Sequence, residues 1–394
     1  MKTAYLVSPF RTAVGKAGRG TLRAKKPDDL CADVIRAIMK ANPNVDPGEI
    51  DDAFIGCAMP EAEQGMNIAR FAVLLADLPE TVPGVTINRF CSSGIQTIAM
   101  AAFQVQAGGA ECILAGGVES MSMVPMMGNK PVGNRTVTKN GREDYYIGMG
   151  LTAENVAKDY KVSREDQDQF SLASHQKAAK AIADGLFKDE IIPVPVTFRK
   201  PGKNGAADVV EQTFSVDEGP RAESTIEALA GLRAAFKTGG SITAGNSSQM
   251  SDGAAMVMVC SEEFVKKYNL KPMARFVSFA VAGVPPRVMG IGPIEAIPKA
   301  LKLGGLSLND IGRVELNEAF ASQALAITRT LGIDPTIINP TGGAIAMGHP
   351  LGATGAKLTS TLLHGMKRDK QKYGIVSMCI GTGMGAAGIY ESLV

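Results

Sequence analysis

Two cysteines and one histidine lie in glycine- and serine-rich runs where a ligand can come close to the backbone. Cys91 sits in NRFCSSG, where the strand-like GVTIN gives way to the helix-like CSSGIQTIAMAAFQVQAGG. A helix start carries unpaired N–H groups and partial positive charge, both of which favour a thiolate. A free thiol titrates near ~8.5, and such a position predicts a value lower by one or more units. The strand–turn–helix layout is that of a nucleophile elbow with Cys in place of Ser, although the same position also suits a small buried hydrophobe. His349 lies in GGAIAMGHPLGATGA, before the helix-like LGATGAKLTSTLLHG, with glycines on both sides. Of the other two histidines, His175 in SLASHQKAAK reads as solvent-facing, and His364 reads as a cation near a helix end. No second histidine stands at metal-ligand spacing from His349. Cys379 ends the strand-like GIVSMCI and enters GTGMGAAG. Gly383, Gly385 and Gly388 spell GxGxxG, but a dinucleotide site needs a helix, a further strand and an acidic residue about 20 positions on. A glycine-rich turn after a cysteine offers N–H donors to an oxyanion instead. Asn317 and Glu318 follow the strand-like RVEL, at the end where parallel strands present active-site groups. The bland roles there are an N-cap for Asn317 and a helix-start carboxylate for Glu318.

Apolar runs of strand length alternate with helix-length segments. TAYLVSPF, DAFIGCAM, GVTIN and ECILAGGVES read as strands; Pro27 with Asp28 and Asp29 opens an amphipathic helix bearing Leu30, Val34, Ala37 and Ile38. This β-α-β-α order predicts an α/β fold with a largely parallel sheet. From Met121 to Met250 prolines, glycines and charges accumulate, as in PVGNRTVTKNGRED and RKPGKNGAAD. One helix stands out there, from Ser163 to about Gly185, opened by a Ser163–Asp166 capping box. The last third repeats the order of the first: ARFVSFAVAG parallels TAYLVSPF, GRVELNEAF parallels DAFIGCAM, TIINPTGGA parallels VTINRFCSSG and YGIVSMCIGTG parallels AECILAGG. Asn88 and Asn339 follow corresponding strands. Two similar halves predict a site between them. The domains expected are 1–120 completed by 251–270, an inserted loop domain at 121–250, and 271–394.

Composition excludes several classes. With 394 residues, 45% hydrophobic and 20% charged, the chain can bury a large interior and is neither disordered nor collagen-like. A net charge of +2 gives no reason to expect nucleic acid or a membrane surface as partner. Six cysteines without a CxxC pair indicate a reducing compartment, and the N-terminus reads as no signal peptide, so the expected location is cytoplasmic.

NRFCSSG, GGVESMS, TAGNSSQMSDGAA, NEAFA, NPTGGAIAMGHPLGATGA and CIGTGMGAAG, in this order along nearly the whole chain, resemble the thiolase family. NRFCSSG and GCAMPEAEQGMNIAR are more similar to degradative 3-ketoacyl-CoA thiolases than to the biosynthetic acetoacetyl-CoA type. The resemblance implies duplicated α/β halves in five layers, αβαβα, with an inserted loop domain. It implies thiolytic cleavage of 3-ketoacyl-CoA by CoA, the alternatives being acetoacetyl-CoA synthesis and a non-catalytic acyl-CoA-binding relative. Coenzyme A and its thioesters are the implied partners, as substrates and with no other cofactor. A homodimer or homotetramer is implied too, and a partner subunit for β-oxidation is compatible.

Residue by residue, Cys91 matches the acylated nucleophile and His349 the histidine that activates it. Cys379 matches the second cysteine, which moves the proton at carbon. Asn317 matches the asparagine that holds a water in one oxyanion hole with His349, and Gly381 with the Cys91 backbone matches the second hole. Ser248, Arg221, Phe320 and Met149 are the implied substrate contacts. Two departures stand out. Thr382 replaces a family glycine, which strains any backbone with φ above zero there. Gly148 stands where biosynthetic relatives tend to carry His, which suggests a roomier acyl pocket.

Overall fold

The computed structural model describes residues 2–201 and 207–394. Its strands are β1 (Tyr5–Thr12), β2 (Gly15–Lys16), β3 (Asp52–Gly56), β4 (Val85–Ile87), β5 (Cys112–Ser120), β6 (Ile191–Ile192), β7 (Val194–Pro201), β8 (Ala207–Phe214), β9 (Ser251–Cys260), β10 (Ala274–Gly283), β11 (Ile311–Leu316), β12 (Tyr373–Ile380) and β13 (Met384–Ser392). The helices are α1 (Pro27–Ala41), α2 (Ile68–Leu75), α3 (Ser93–Gln106), α4 (Arg135–Lys139), α5 (Met149–Asp159), α6 (Arg164–Ala183), α7 (Ile226–Ala230), α8 (Glu262–Lys267), α9 (Gly292–Gly304), α10 (Ala321–Leu331), α11 (Ala344–Met347) and α12 (Leu351–Asp369).

Hydrogen bonding orders the main sheet β11-β12-β13-β10-β1-β9-β5-β3-β4. Each half has the same topology. In the first half, β3 lies between β4 and β5, both parallel to it, and β9 and β1 follow antiparallel. In the second half, β11 is parallel to β12, and β13 and β10 follow antiparallel. The counterpart of β4 is a single parallel bridge, Val314 to Ile338. TIINPTGGA therefore occupies the position of GVTIN but pairs through one residue. The halves meet where β1 and β10 pair over only two residues, Tyr5↔Arg275 and Leu6↔Ala274.

Alternation along the strands sorts side chains into three cores, which makes five layers. On β5 and β9, Leu114, Met256 and Met258 face α1 with Leu30, Val34 and Ile38. Their neighbours Ile113, Val257 and Val259 turn the other way, onto Ile95 and Ile98 of α3 and Leu358 and Leu362 of α12. Val376, Met378 and Ile380 of β12 close that central core from the second half. Ile375 and Ile389 point outward to Ile297 and Ala300 of α9 and Ile327 of α10. Period-2 patterning on strands buried on both faces, with helices between and outside, requires the order αβαβα.

The region between β5 and β9 is more ordered than its composition suggested. α6 begins with the expected capping box, Ser163 with Asp166. A second long helix, α5, was not anticipated; Gly150 in it lets the Phe236 ring lie so close that a Cβ would sit 2.1 Å from it. The region is fastened to β1 by buried Arg11, which pairs with Glu190 at 2.5 Å and with both oxygens of Asp217 at 2.8 and 3.0 Å. RKPGKNGAAD spans the hairpin β7–β8; its residues 202–206 lie outside the described residues. Among the described residues no helix is long and apolar enough to cross a membrane.

Candidate active site

The two central helices α3 and α12 bring the two halves of the site together. At their crossing, a Cβ on Gly94 would lie 2.8 Å from the Gly352 carbonyl oxygen and the Ala356 amide nitrogen. One on Gly355 would lie 2.2 Å from the Ile95 nitrogen. Only glycine permits this approach. Cys91 immediately precedes one helix and His349 the other.

Cys91 lies in a 3-10 turn, Phe90–Ser92, that runs into α3. Asn88 builds the turn: its Oδ1 accepts from the Phe90 N–H at 2.8 Å and its Nδ2 donates to the Ala58 carbonyl at 3.0 Å. Ser93 Oγ accepts from the Arg89 N–H at 2.9 Å and donates to the Phe90 carbonyl at 2.7 Å. Phe90 is held at φ +45°, a strained conformation of the kind found at functional turns. Cys91 packs against Ala58, Met121 and Leu351. The helix start does not lower its thiol pKa. Burial pushes it up to about 11, against the pull of the N–H groups of Gly381 and of Cys91 itself, and the Glu119 carboxylate adds to the rise. The N-terminal charge of the helix is outweighed by the loss of water around the sulfur.

His349 is buried, its N–H donating to the Gln249 carbonyl at 3.1 Å. Its tautomer follows from its neighbours. The Thr354 hydroxyl gives its proton to the Pro350 carbonyl at 2.9 Å, so at 2.6 Å from Nδ1 it accepts, and the ring proton is on Nδ1. Nε2 is then unprotonated, and its lone pair accepts from Asn317 Nδ2 at 3.3 Å. Burial, with the charge of Lys357, lowers the imidazole pKa to about 3, so the ring is neutral at pH 7. Asn317 is fully buried, and its Oδ1 has no protein partner.

Cys379 is fully buried at the end of β12, in one apolar cluster with Phe320, Ala319, Met289 and Met149. Its thiol pKa is pushed above the ordinary range by burial and by nearby Cys91, so it remains a protonated thiol rather than the near-neutral titrating group its type alone suggested. Gly381 follows in the hairpin; a Cβ there would stand 3.7 Å from Met149 Sδ and 3.9 Å from the Phe90 ring. Thr382 has φ +67°, the strain anticipated for this substitution. The glycines of GTGMGAAG form that hairpin and β13, with no helix following. Ser248 donates its N–H to Ala319 at 2.9 Å, beside the Ser247–Phe320 bridge. These residues converge on one site. Arg221 is exposed, and its backbone N–H is bonded to His175.

Two further sequence expectations fail here. His175 is buried, not solvent-facing: its Nδ1 accepts from the Arg221 N–H at 3.2 Å, and burial with the Arg221 charge lowers its pKa to about 4. His364, toward the end of α12, donates its Nε2–H to the Pro9 carbonyl at 3.1 Å. Glu318 neither starts a helix nor faces the site: Asn339 Nδ2, Ser174 Oγ and the Ile345 N–H all donate to it, which braces the loop before His349. Sequence reasoning also missed Thr354, although its place five residues after His349, one helical turn in, was a readable signal.

Residues 4–263 match the thiolase N-terminal domain and residues 270–392 the thiolase C-terminal domain. The chain is 55% identical over 391 residues to a 3-ketoacyl-CoA thiolase of Bacillus subtilis (strain 168), covering 99% of this chain and 100% of that protein. It is 44% identical over 409 residues to a beta-ketoadipyl-CoA thiolase of Acinetobacter baylyi (strain ATCC 33305 / BD413 / ADP1), covering 99% and 100%. The crystal structure of the Bacillus anthracis acetyl-CoA acetyltransferase superposes with a TM-score of 0.89 at 40% identity, covering 100% of this chain and 99% of that one. The match of both domains in order, over the geometry just described, places the chain in the thiolase family.

Proposed function

We propose that the protein cleaves 3-ketoacyl-CoA with CoA, yielding acetyl-CoA and a shortened acyl-CoA through an acyl-Cys91 intermediate. The observation that carries this reading is the meeting, from opposite halves of the fold, of a nucleophile flanked by two backbone N–H groups, a neutral histidine with an unprotonated Nε2 and a second, protonated thiol. As Cys91 Sγ attacks the C3 ketone, its proton passes to His349 Nε2. Preorganised donors then stabilise the oxyanion, each worth about 3–4 kcal/mol. The N–H groups of Gly381 and Cys91 serve in one hole; the new Nε2–H of His349 serves in the other, with a water held by Asn317. Breaking the C2–C3 bond releases the acetyl-CoA enolate, which takes its proton from Cys379. The thiolate so formed deprotonates the incoming CoA thiol, whose sulfur attacks acyl-Cys91; Cys91 leaves as the thiolate and takes back its proton from His349 Nε2. Covalent catalysis divides one difficult cleavage into two transfers. The reading requires no metal or redox cofactor. Intact mass after mixing with a 3-ketoacyl-CoA tests it: an acyl adduct at Cys91 is expected, and its absence with an active-site-labelled control overturns the reading. A cytoplasmic homo-oligomer belongs to the same reading, supported by the likeness to a bacterial thiolase.

The range of relatives leaves the acyl group to be read from this chain. A Cβ on Gly148 meets nothing within 4 Å, at the cap of α5 beside Met149. Gly148 is itself exposed and leaves a longer acyl chain room to lie against Met149, each methylene so covered adding about 0.8 kcal/mol. Substrates of six or more carbons are expected to be cleaved at least as well as acetoacetyl-CoA. Gly148 has φ −66°, so Gly148→Phe is tolerated by the backbone. It is expected to lower kcat/KM about tenfold for the longer chains and little for acetoacetyl-CoA, the loss of roughly two methylenes of cover. Equal losses for both would point to a general defect instead.

Thr354→Val keeps the shape but removes the acceptor for His349 Nδ1–H. An orphaned buried donor costs about 1–3 kcal/mol, so kcat is expected to fall about tenfold or more. Steady-state thiolysis at saturating substrate checks it.

A further inference from the structure

We infer that Glu119 is a positioning residue whose single carboxylate ties the helix following His349 to the turn that carries Cys91. The inference rests on the thiolytic reading and goes beyond it, since Glu119 touches neither substrate nor reacting atoms. Its side chain is fully buried at the end of β5. Oε2 accepts from the Gly352 N–H and the Ala58 N–H, each at 2.8 Å. Oε1 accepts from Gln64 Nε2 at 2.7 Å and from the Met59 N–H at 3.3 Å.

From Glu119 hydrogen bonds run to the residue before Cys91 and to the helix start beyond His349. In one direction, the Ala58 carbonyl holds Asn88, and Asn88 holds the Phe90 N–H that precedes Cys91. In the other, Gly352 is the second residue of α12, three after His349, and the Pro350 cap supplies no side-chain bond to that helix. Glu119 thus acts as the cap α12 lacks, from another half of the molecule. The approach is built in: a Cβ on Gly352 would lie 2.9 Å from Glu119 Oε2 and 2.8 Å from the Cys57 Cα. Burial raises the Glu119 pKa, and the four close nitrogen partners, all donors, oppose that rise and favour the ionised form. A charge so placed opposes the Cys91 thiolate, adding to the rise that burial produces. It therefore holds the site's geometry and adds to the bias of Cys91 toward the thiol. Cys379, also near Cys91, is uncharged, and His349 is neutral.

Glu119→Gln and Glu119→Asp separate charge from reach. Gln keeps the length but turns an amide NH2 toward the donors of Gln64 or the backbone. Misplacement of this kind costs up to about 100-fold in rate. For Glu119→Gln we expect kcat for thiolysis to fall about tenfold or more, with KM for CoA within about twofold of wild type. Iodoacetamide should label Cys91 about threefold faster or more, with the other five cysteines labelled no faster. For Glu119→Asp kcat should fall similarly without faster labelling, because the charge remains. If Glu119→Gln does not fold, the kcat and labelling of Glu119→Asp decide. A kcat within about threefold of wild type in either folded variant, or general acceleration of labelling at all cysteines, overturns the positioning role. If wild type itself forms no acyl-Cys91, the parent reading has failed instead.

Discussion

Cys379→Ala is expected to accept an acyl group at Cys91 from a simple thioester and yet to lose carbon–carbon cleavage by about 10²–10⁴-fold or more, the range for a displaced general acid–base group. The two steps make different demands. Acylation from a thioester expels a thiolate, which needs no carbon acid. Cleavage of a 3-ketoacyl chain expels a carbanion, which needs the acid that Cys379 supplies from the apolar cluster of Phe320, Met289 and Met149. Burial and the neighbouring Cys91 keep the Cys379 thiol protonated, so the acid is in its donating form at neutral pH. Once it has donated, the same shift makes the thiolate a strong base toward the CoA thiol. Cys91→Ala should fail in both assays. Intact mass and single-turnover cleavage measure the two halves separately, and parallel loss of both in the Cys379 variant would defeat this division of roles.

The second large effect concerns stability. Gly355→Leu is expected to destabilise the fold by at least about 4 kcal/mol, or to leave no soluble protein. At that point α12 crosses α3 so closely that a first side-chain carbon would lie 2.2 Å from a backbone nitrogen. The helix backbone cannot give way, because both helices are packed between the two halves of the main sheet in the central core. Urea unfolding followed by far-ultraviolet dichroism gives the number; a change below about 1 kcal/mol would mean that the crossing is softer than its geometry.

Strand periods and turn signals made the α/β class and the repeated order of elements legible, because strands buried on both faces and central helices are written as continuous apolar runs. The likeness of GVTIN and TIINPTGGA reflects real equivalence, even though one is a strand and the other a single bridge. α5 was not legible. Its Gly148 and Gly150 read as loop, and it is the packing of Phe236 onto Gly150 that fits a helix there. His175 was misread because its neighbours are polar, while its burial is decided by the Arg221 segment, which folds over α6 from more than forty residues away. The position of Cys91 was visible as a strand-to-helix junction. The state of its sulfur was not, since desolvation by distant parts of the chain outweighs the local helix end. Glu119 left no spacing signal at all: its partners come from positions 58, 59, 64 and 352.

The pairing of β1 with β9 carries a consequence for how the protein is made. Tyr5 faces Cys260 in that ladder, so the first strand must wait for some 250 residues of synthesis before its neighbour exists. The Gly381 N–H that reaches the Cys91 sulfur is later still, and β13, which completes the second half, ends at Ser392. Domains otherwise fold in order as they emerge. Here the nucleophile is among the early arrivals and the groups that tune it are among the last. On the ribosome Cys91 therefore emerges nearly 300 residues before the Gly381 N–H that reaches its sulfur.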